Sequence, residues 1–185
     1  MKAIEDLRME HDAVRLTLKI LERIAKQIEQ KGKPNDSQHV DQLLEFFTVF
    51  VDKCHHGKEE ELLFPALERA GVARDRGPIG VMLREHELGR GCVQQMKAAF
   101  SRLKAGDSRA ALDFTRSVGD YISLLNQHIE KENNVLFTMA ERQLSEATLA
   151  ELSKGFDRIE EQKIGLGKHE EFHNMIARLE NAYLK

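Results

Sequence analysis

The sequence has no tryptophan, only three prolines and only two cysteines among its 185 residues. Because proline breaks helices, its scarcity, together with abundant Leu, Ala, Glu, Lys and Arg, favours an all-helical protein. Cys54 and Cys92 are too few and too isolated to form a disulfide framework. Their small number therefore indicates a reducing, cytoplasmic setting.

The sequence also lacks the features of membrane, secreted and nucleic-acid-binding proteins. No apolar run approaches the length of a bilayer span, and the first ten residues do not resemble a signal peptide. The formal net charge is -3, with Lys and Arg interspersed among Asp and Glu. We therefore expect no membrane partner and no nucleic-acid partner. A chain of this length suits one globular domain, with or without a helical appendage.

Four long amphipathic segments follow one another, separated by short breaks that contain glycine, proline, aspartate and serine. Their apolar residues are spaced alternately three and four apart, which is typical of helices that face a common core. The stripe of the fourth helix consists of Val118, Tyr121, Leu125, His128, Glu132, Val135 and Met139. This pattern predicts an up-down-up-down four-helix bundle over residues 1–145. Residues 146–185 are expected to form a helical extension that packs on the bundle.

Two segments of the chain are near copies of each other. In both, a histidine is followed by a glutamate four residues later and by Leu-Phe eight and nine residues later. The first copy contains His55 and Glu59, and the second contains His128 and Glu132. Because residues four apart lie on the same face of a helix, each copy presents one imidazole and one carboxylate on one side.

The first and third helices each carry a histidine at a position of the apolar stripe. His11 and His86 are both preceded by a glutamate, so the first pair of helices resembles the second pair. The interval from His11 to His55 is 44 residues, and that from His86 to His128 is 42 residues. We expect two helical hairpins, related by an approximate two-fold axis, that bring the four histidines to one level.

Charged side chains on apolar helix faces need compensation, because burying an unpaired carboxylate is costly. A pair of divalent cations would neutralise both carboxylates and use every imidazole lone pair. Mixed imidazole and carboxylate ligands suit iron, manganese or zinc, and we favour iron. A hydrogen-bonded polar layer that sets the helix register is the structural alternative. The candidate metal ligands are His11, His55, Glu59, His86, His128 and Glu132.

The neighbouring pair His56 and Glu60 has the same spacing as His55 and Glu59 and is an alternative to it. In the second copy an isoleucine aligns with His56 and an asparagine with Glu60. The repeat therefore favours His55 and Glu59 as ligands, with His56 and Glu60 as flanking residues. Which histidines share a cation stays open at this point.

Four further residues carry polar groups that a metal site could use. His169 and His173 lie four residues apart, and we expect them on the solvent face of a helix that packs Phe172 inward. Arg90 is expected to form a salt bridge on the flank of the bundle. Tyr121 belongs to the apolar stripe of the fourth helix and is expected in the core.

These residues resemble the hemerythrin-like family, also called the HHE cation-binding domain. The resemblance rests on His11, residues 55–65, His86 and residues 128–137, and it covers about residues 1–145. It implies a four-helix bundle around a non-haem di-iron centre with an oxo, hydroxo or carboxylate bridge. Oxygen-carrying members have a second histidine where this chain has Arg90. The set of four histidines and two glutamates is more similar to bacterial di-iron proteins linked to iron–sulfur cluster repair and nitric oxide chemistry.

The leading hypothesis is a cytoplasmic protein with two iron ions that binds, senses or reduces a small ligand such as dioxygen, nitric oxide or peroxide. The second hypothesis is a di-iron enzyme in peroxide or nitric oxide detoxification or in iron–sulfur cluster repair. The third is a metal-free helical adaptor. The sequence suggests no general base or pocket for an organic substrate, so no catalytic residue beyond the metal ligands is expected. A homodimer is kept as an open alternative for the assembly.

Overall fold

The computed structural model describes residues 2–165 and 167–185, and these residues form helices and loops without any β-strand. The helical segments are α1 (Lys2–Lys31), α2 (Ser37–Phe46), π1 (Phe47–His56), π2 (Glu59–Leu63), α3 (Phe64–Arg69), α4 (Pro78–Lys104), α5 (Ala110–Lys131), π3 (Glu132–Leu136), α6 (Phe137–Gln143), α7 (Glu146–Lys163) and α8 (Lys168–Tyr183). Segments α2 to α3 run without a break as the second helix of the bundle, and α5 to α6 form the fourth in the same way. The predicted all-α bundle with extra C-terminal helices is confirmed.

Local sequence signals set the ends of the bundle helices. Asp36 caps α2 by accepting a hydrogen bond of 2.8 Å from the backbone N–H of Gln38. Pro78 opens α4, at a position where its missing N–H breaks no helical hydrogen bond. Gly71 and Gly106 follow α3 and α4 with φ angles of 97° and 95°, which glycine adopts without strain. The resulting short loops favour antiparallel packing of helices that are neighbours in sequence.

Two apolar clusters of the bundle lie on either side of a polar layer. The order is visible along α1, where Ile4 and Leu7 belong to one cluster and Val14 and Leu18 to the other. His11 lies between these two pairs and is itself buried. The polar layer is therefore enclosed by close-packed apolar side chains, which keep it away from water. None of the described helices is both long enough and apolar enough to span a bilayer.

The wide turns π1, π2 and π3 lie in and beside the polar layer. A π-helical turn holds more residues than an α-helical turn, so the residues that follow it are rotated about the helix axis. Val135 was predicted in the stripe of the fourth helix, but it is 50% exposed, and its neighbour Leu136 is buried instead. That prediction is wrong because α-helical spacing does not hold through π3.

Helices α7 and α8 pack against the outside of the bundle. Helix α7 contacts α1, π1 and π2, and α8 contacts α1 and α2. Gly155 lets α7 approach closely, because a Cβ atom there would lie 2.7 Å from Cδ1 of Leu62. In α8 the ring of Phe172 lies 5.4 Å from that of Phe46 and 6.1 Å from that of Phe50, between centroids. The division of the chain into two units at residue 145 stays a prediction.

Two glycines of α4 provide a matched test of how closely α4 approaches the loop that precedes it. A Cβ atom at Gly80 would lie 2.7 Å from the carbonyl oxygen of Arg74 and 3.0 Å from that of Asp75, whereas one at Gly91 meets nothing within 4 Å. We expect Gly91→Ala to raise the free energy of unfolding by about 0.5–1 kcal/mol through helix propensity. Gly80→Ala should lower it by about 1–3 kcal/mol, because backbone atoms have to move. Urea unfolding checks both, and a gain in both variants would contradict the close approach.

Candidate metal centre

The six predicted ligands come together in the polar layer. Each of the four bundle helices supplies one histidine, and the first residues of π2 and π3 are the two glutamates. The residues brought together, none more than 2% exposed, are His11, His55, Glu59, His86, His128 and Glu132. Turns π2 and π3 begin at the two inward-facing glutamates, so the local backbone and the placement of the carboxylates are linked.

His11 and His55 form one half of the layer together with one oxygen of each glutamate. Their Nε2 atoms lie 3.0 Å apart, and Nε2 of His11 lies 3.1 Å from Oε2 of Glu132. Nε2 of His55 lies 3.8 Å from Oε1 of Glu59. One ligand atom from each of these four side chains falls within 4.8 Å of all the others.

His86 and His128 form the other half with the remaining oxygens. Nε2 of His86 lies 3.4 Å from Oε2 of Glu59 and 3.8 Å from Oε1 of Glu132. Nε2 of His128 lies 3.2 Å from Oε1 of Glu132. Both carboxylates therefore have one oxygen beside each half, which is the arrangement that bridging between two cations requires.

His56 was expected to flank the site, but it also reaches the layer. A ring nitrogen of His56 lies within 4.8 Å of ligand atoms of His86 and His128. The rings of His56 and His86 are stacked, with their centroids 3.8 Å apart. Nδ1 of His56 is buried and has no hydrogen-bond partner among the described residues. The sequence signal for His56 was its four-residue spacing to Glu60 beside the His55–Glu59 pair, and the alignment of His56 with isoleucine in the repeat pointed away from it.

Each of the four predicted histidine ligands is held by a hydrogen bond from its Nδ1–H to an outer oxygen. His55 donates to Glu10 at 2.7 Å and His128 to Glu85 at 3.0 Å. In the repeat, Glu10 and Glu85 correspond to each other. The remaining pairs, at 2.9 and 2.7 Å, are His11 with Asn133 and His86 with Glu60. Donation from Nδ1 leaves the Nε2 lone pair of each imidazole directed into the layer, as in metal-binding histidines.

The outer glutamates are in turn bound by two lysines that also correspond in the repeat. Lys58 donates to Glu10, and Lys131 donates to Glu85. Lys58 additionally donates to Glu160 at 2.5 Å. The two lysines differ in environment, because Lys58 is 1% exposed and Lys131 is 40% exposed. The correspondence between the two copies thus extends beyond the six predicted ligands, and Lys58 differs from Lys131 in its contact with Glu160 of α7.

The layer requires positive charge between its carboxylates. Burial by itself raises the pKa of Glu132, but the charge of His128 and contacts with His11 and His86 lower the pKa well below its usual value. Burial likewise lowers the pKa of His128, but Glu132 and the outer Glu85 raise this pKa to about 9. Without metal, protons on the imidazoles would have to supply the compensating charge. Bound cations would supply the same charge and release those protons.

The donor set fits bound cations better than it fits a hydrogen-bonded layer. None of the four oxygens of Glu59 and Glu132 has a well-aligned hydrogen bond to any described residue, although imidazoles lie nearby. Nε2 of His86 and Nε2 of His128 are also buried and unpartnered within the described chain. Ligand atoms about 2.1 Å from one cation are about 3.0–3.5 Å from each other, which matches the shorter distances in both halves.

The remaining candidates occupy other environments. Arg90 donates to Asp52 and to Glu60 at 2.7 Å each, so it forms the expected salt bridge, and Glu60 links it to the outer side of His86. Tyr121 is buried in the core, 5.1 Å from the ring of Phe47. His169 and His173 lie outside the layer on α8, where Phe172 is buried as predicted.

The two lysines provide a prediction with a built-in control. Lys58→Met leaves the buried carboxylate of Glu10 without its ammonium partner, so we expect the free energy of unfolding to fall by about 3–5 kcal/mol. Lys131→Met removes a half-exposed pair and should cost less than about 1 kcal/mol. Both values are measured by urea unfolding. Equal losses would show that the burial of Lys58 has no energetic consequence.

Relatives of this chain include proteins with named functions. Rv1995 of Mycobacterium tuberculosis, an uncharacterized protein, is 23% identical over 180 residues, which are 97% of this chain and 69% of the relative. The iron-sulfur cluster repair protein YtfE of Musicola paradisiaca is 34% identical over 100 residues, 51% of this chain and 45% of the relative. YtfE of Dickeya chrysanthemi is 28% identical over 136 residues, 71% of this chain and 61% of the relative. This chain therefore matches less than two thirds of the length of either YtfE protein.

The family comparison covers most of the bundle. Residues 2–140 match the family described as the hemerythrin HHE cation binding domain. That range contains α1 to α5, π3 and all six predicted ligands, whereas α7 and α8 lie beyond it. The chain belongs to the hemerythrin HHE cation-binding domain family.

Proposed function

We propose that this protein is a non-haem di-iron protein that binds, senses or reduces a small ligand such as dioxygen, nitric oxide or peroxide. The observation that carries the proposal is the pair of wholly buried carboxylates, Glu59 and Glu132, which lack hydrogen bonds within the described residues and face imidazoles on both sides. Two divalent cations would compensate both carboxylates at once. In a metal-free adaptor, no cation would offset the unfavourable free energy of burying these two carboxylates.

In this proposal, one cation is held by His11 and His55, and the second by His86 and His128. Glu59 and Glu132, each with one oxygen beside either pair of histidines, would contribute to holding both cations. His56 would supply a third imidazole to the second cation, and it lines one cavity with Arg90, the position at which oxygen-carrying members of the family have a second histidine. The five histidines and two glutamates act as ligands, and bound iron would supply redox chemistry and open coordination positions.

The choice of iron rests on the ligand types. Thiolate ligands would indicate copper(I) or an iron–sulfur cluster, but Cys54 is buried and burial raises the pKa of its thiol to about 12. Imidazole with carboxylate leaves iron, manganese and zinc. Family membership and the iron–sulfur cluster repair relatives favour iron.

We place the protein in the cytoplasm because Cys54 and Cys92 are free thiols. A homodimer stays a prediction.

A small cavity next to His56 is the proposed access route for the ligand. It has a volume of about 190 Å³ and is lined by His56, Asp52, Arg90, Gly89 and Tyr121, among others. This volume suits a diatomic molecule or a peroxide and is too small for most organic substrates. The ion pair of Arg90 with Asp52 borders the cavity and would limit access from solvent.

A second candidate function is repair of iron–sulfur clusters or enzymatic removal of nitric oxide or peroxide. The observation that favours it is the similarity to the YtfE proteins, which are named for iron-sulfur cluster repair. Because this chain matches only part of their length, the repair activity of the YtfE proteins is a proposal for this chain. Consumption of nitric oxide or peroxide by the iron-loaded protein would separate an enzyme from a carrier or sensor.

Iron loading tests the leading proposal. We expect two iron ions per chain after anaerobic loading with ferrous salt, and about one or fewer in His128→Ala. The matched control is His39→Ala, which removes a histidine bonded to Tyr183 outside the layer and should keep both ions. Elemental analysis measures the count, and an optical spectrum taken after exposure to air reports on an oxo bridge. Loading should also raise the melting temperature, because free iron at 100 times Kd stabilises by about 2.7 kcal/mol per site.

The proposal fails if the wild-type protein retains less than one iron per chain and its melting temperature is unchanged by iron or by a chelator. Equal loss of iron in His39→Ala and His128→Ala would also contradict it, because the loss would then not depend on the layer. Turnover of nitric oxide or peroxide in the wild type, absent in His128→Ala, would favour the enzyme over the carrier.

His56→Ile tests the third imidazole, and it is a matched variant because Ile129 occupies the corresponding position in the repeat. We expect the affinity for one of the two ions to fall by about 10–100-fold. Loss of a residue that merely orients a metal ligand already lowers metal affinity by that factor. The other ion should keep its affinity. Competition with a chromophoric chelator measures both constants. Unchanged binding of both ions would assign His56 to packing alone.

A further inference from the structure

A second group of metal-binding side chains lies outside the centre, where α1, α7 and α8 meet. One ligand atom from each of Glu10, Glu160 and His169 lies within 4.8 Å of the other two. His173 lies beside His169, with their ring centroids 4.7 Å apart. The group therefore combines carboxylates and imidazoles, the same ligand types as the centre, from three separate helices.

This group, here called the outer cluster, borders a cavity that is open to solvent. The cavity has a volume of about 320 Å³, and its charged lining residues are Lys2, Asp6, Glu10, Asp157 and Glu160. Lys58 lies against two of these carboxylates. Four carboxylates thus face two ammonium groups, which leaves an excess of two negative charges, before the imidazoles are counted. One divalent cation would balance that excess.

The side chains of the outer cluster are partly held in place. Lys58 engages Oε1 of Glu160, so Oε2 takes no part in that bond. The ring of His169 lies 5.6 Å from that of Phe50, between centroids. His169 and His173 are four residues apart on α8, a spacing that allows two imidazoles to bind one cation from a single helix face.

Glu10 connects the outer cluster to the centre. Its Oε2 accepts the 2.7 Å hydrogen bond from Nδ1 of His55, and its Oε1 accepts from Lys58. The same carboxylate thus belongs to the outer cluster and contacts a proposed ligand of the central cations. Because α7 contacts α1, π1 and π2, and α8 contacts α1 and α2, the C-terminal helices assemble this cluster on the side of the bundle where Glu10 lies.

We propose that Glu10, Glu160, His169 and His173 form an outer site that captures a divalent cation from solvent and passes it to the central layer. The identification of that cation as ferrous iron rests on the proposed function. Lys58 competes with a cation for both carboxylates, so the outer site binds more weakly than the centre. Weaker binding at the outer site favours movement of the ion inward, where every carboxylate oxygen is free of an ammonium partner within the described residues.

The test uses the full chain and the double variant H169Q/H173Q, in which amides of similar size preserve the packing on Phe50. Mn²⁺ titration, followed by the electron paramagnetic resonance signal of the free ion, counts the sites. We expect the wild type to show one weak site in addition to those of the centre, and the variant to lose only that site. With limiting Fe²⁺, the variant should fill its centre at least fivefold more slowly and reach the same final iron content. His39→Gln is the control and should match the wild type.

Equal numbers of Mn²⁺ sites and equal rates of iron uptake in the wild type and in H169Q/H173Q would overturn the proposal. Loss of the weak site without any slowing of iron uptake would overturn the delivery role. Failure of the proposed function has a different signature: the tight sites would be missing from the wild type. In His128→Ala the weak Mn²⁺ site should persist while tight binding declines, which would support an outer site that is independent of the centre.

Discussion

The constraint on which the structure depends is the burial of two carboxylates between four imidazoles. Glu59 and Glu132 are fully enclosed, and removing such charges from water costs several kcal/mol for each unless positive charge is brought close. The apolar clusters on both sides of the layer exclude water and thereby strengthen every electrostatic interaction within it. Bound cations satisfy this constraint most directly, and the imidazoles, their outer partners and the lysines are arranged around that need.

The internal repeat explains why the layer is organised as two similar halves. Corresponding residues perform corresponding tasks: Glu10 and Glu85 each hold a histidine of the partner helix, and Lys58 and Lys131 each hold one of those glutamates. The symmetry is broken where His56 replaces an isoleucine. It is broken again where Lys58, in contrast to Lys131, contacts Glu160 of α7. Both differences coincide with features that we propose to be functional: an extra imidazole and an outer cation site.

Backbone geometry and side-chain chemistry are coupled in the layer. Turns π2 and π3 start at the two glutamates, and the wide turn of π3 exposes Val135 and buries Leu136. A regular α-helix would rotate the same residues differently. The repeated spacing of His, Glu and Leu-Phe does not by itself distinguish a π-helical turn from an α-helical one. This is why the predicted apolar stripe of the fourth bundle helix is correct from Val118 to Glu132 and wrong at Val135.

The sequence by itself determined the helical class, the bundle and the set of six inward-facing residues. Apolar periodicity and a duplicated motif are local properties, and they persist whatever the helices pack against. Only the tertiary structure decided that His56 also reaches the layer and that Glu10 lies beside His169 at a second cluster. These contacts depend on the rotation of π1 and on the docking of α8. Spacing along a single helix does not determine the distance between side chains of different helices. That distance is set by how the helices pack against each other.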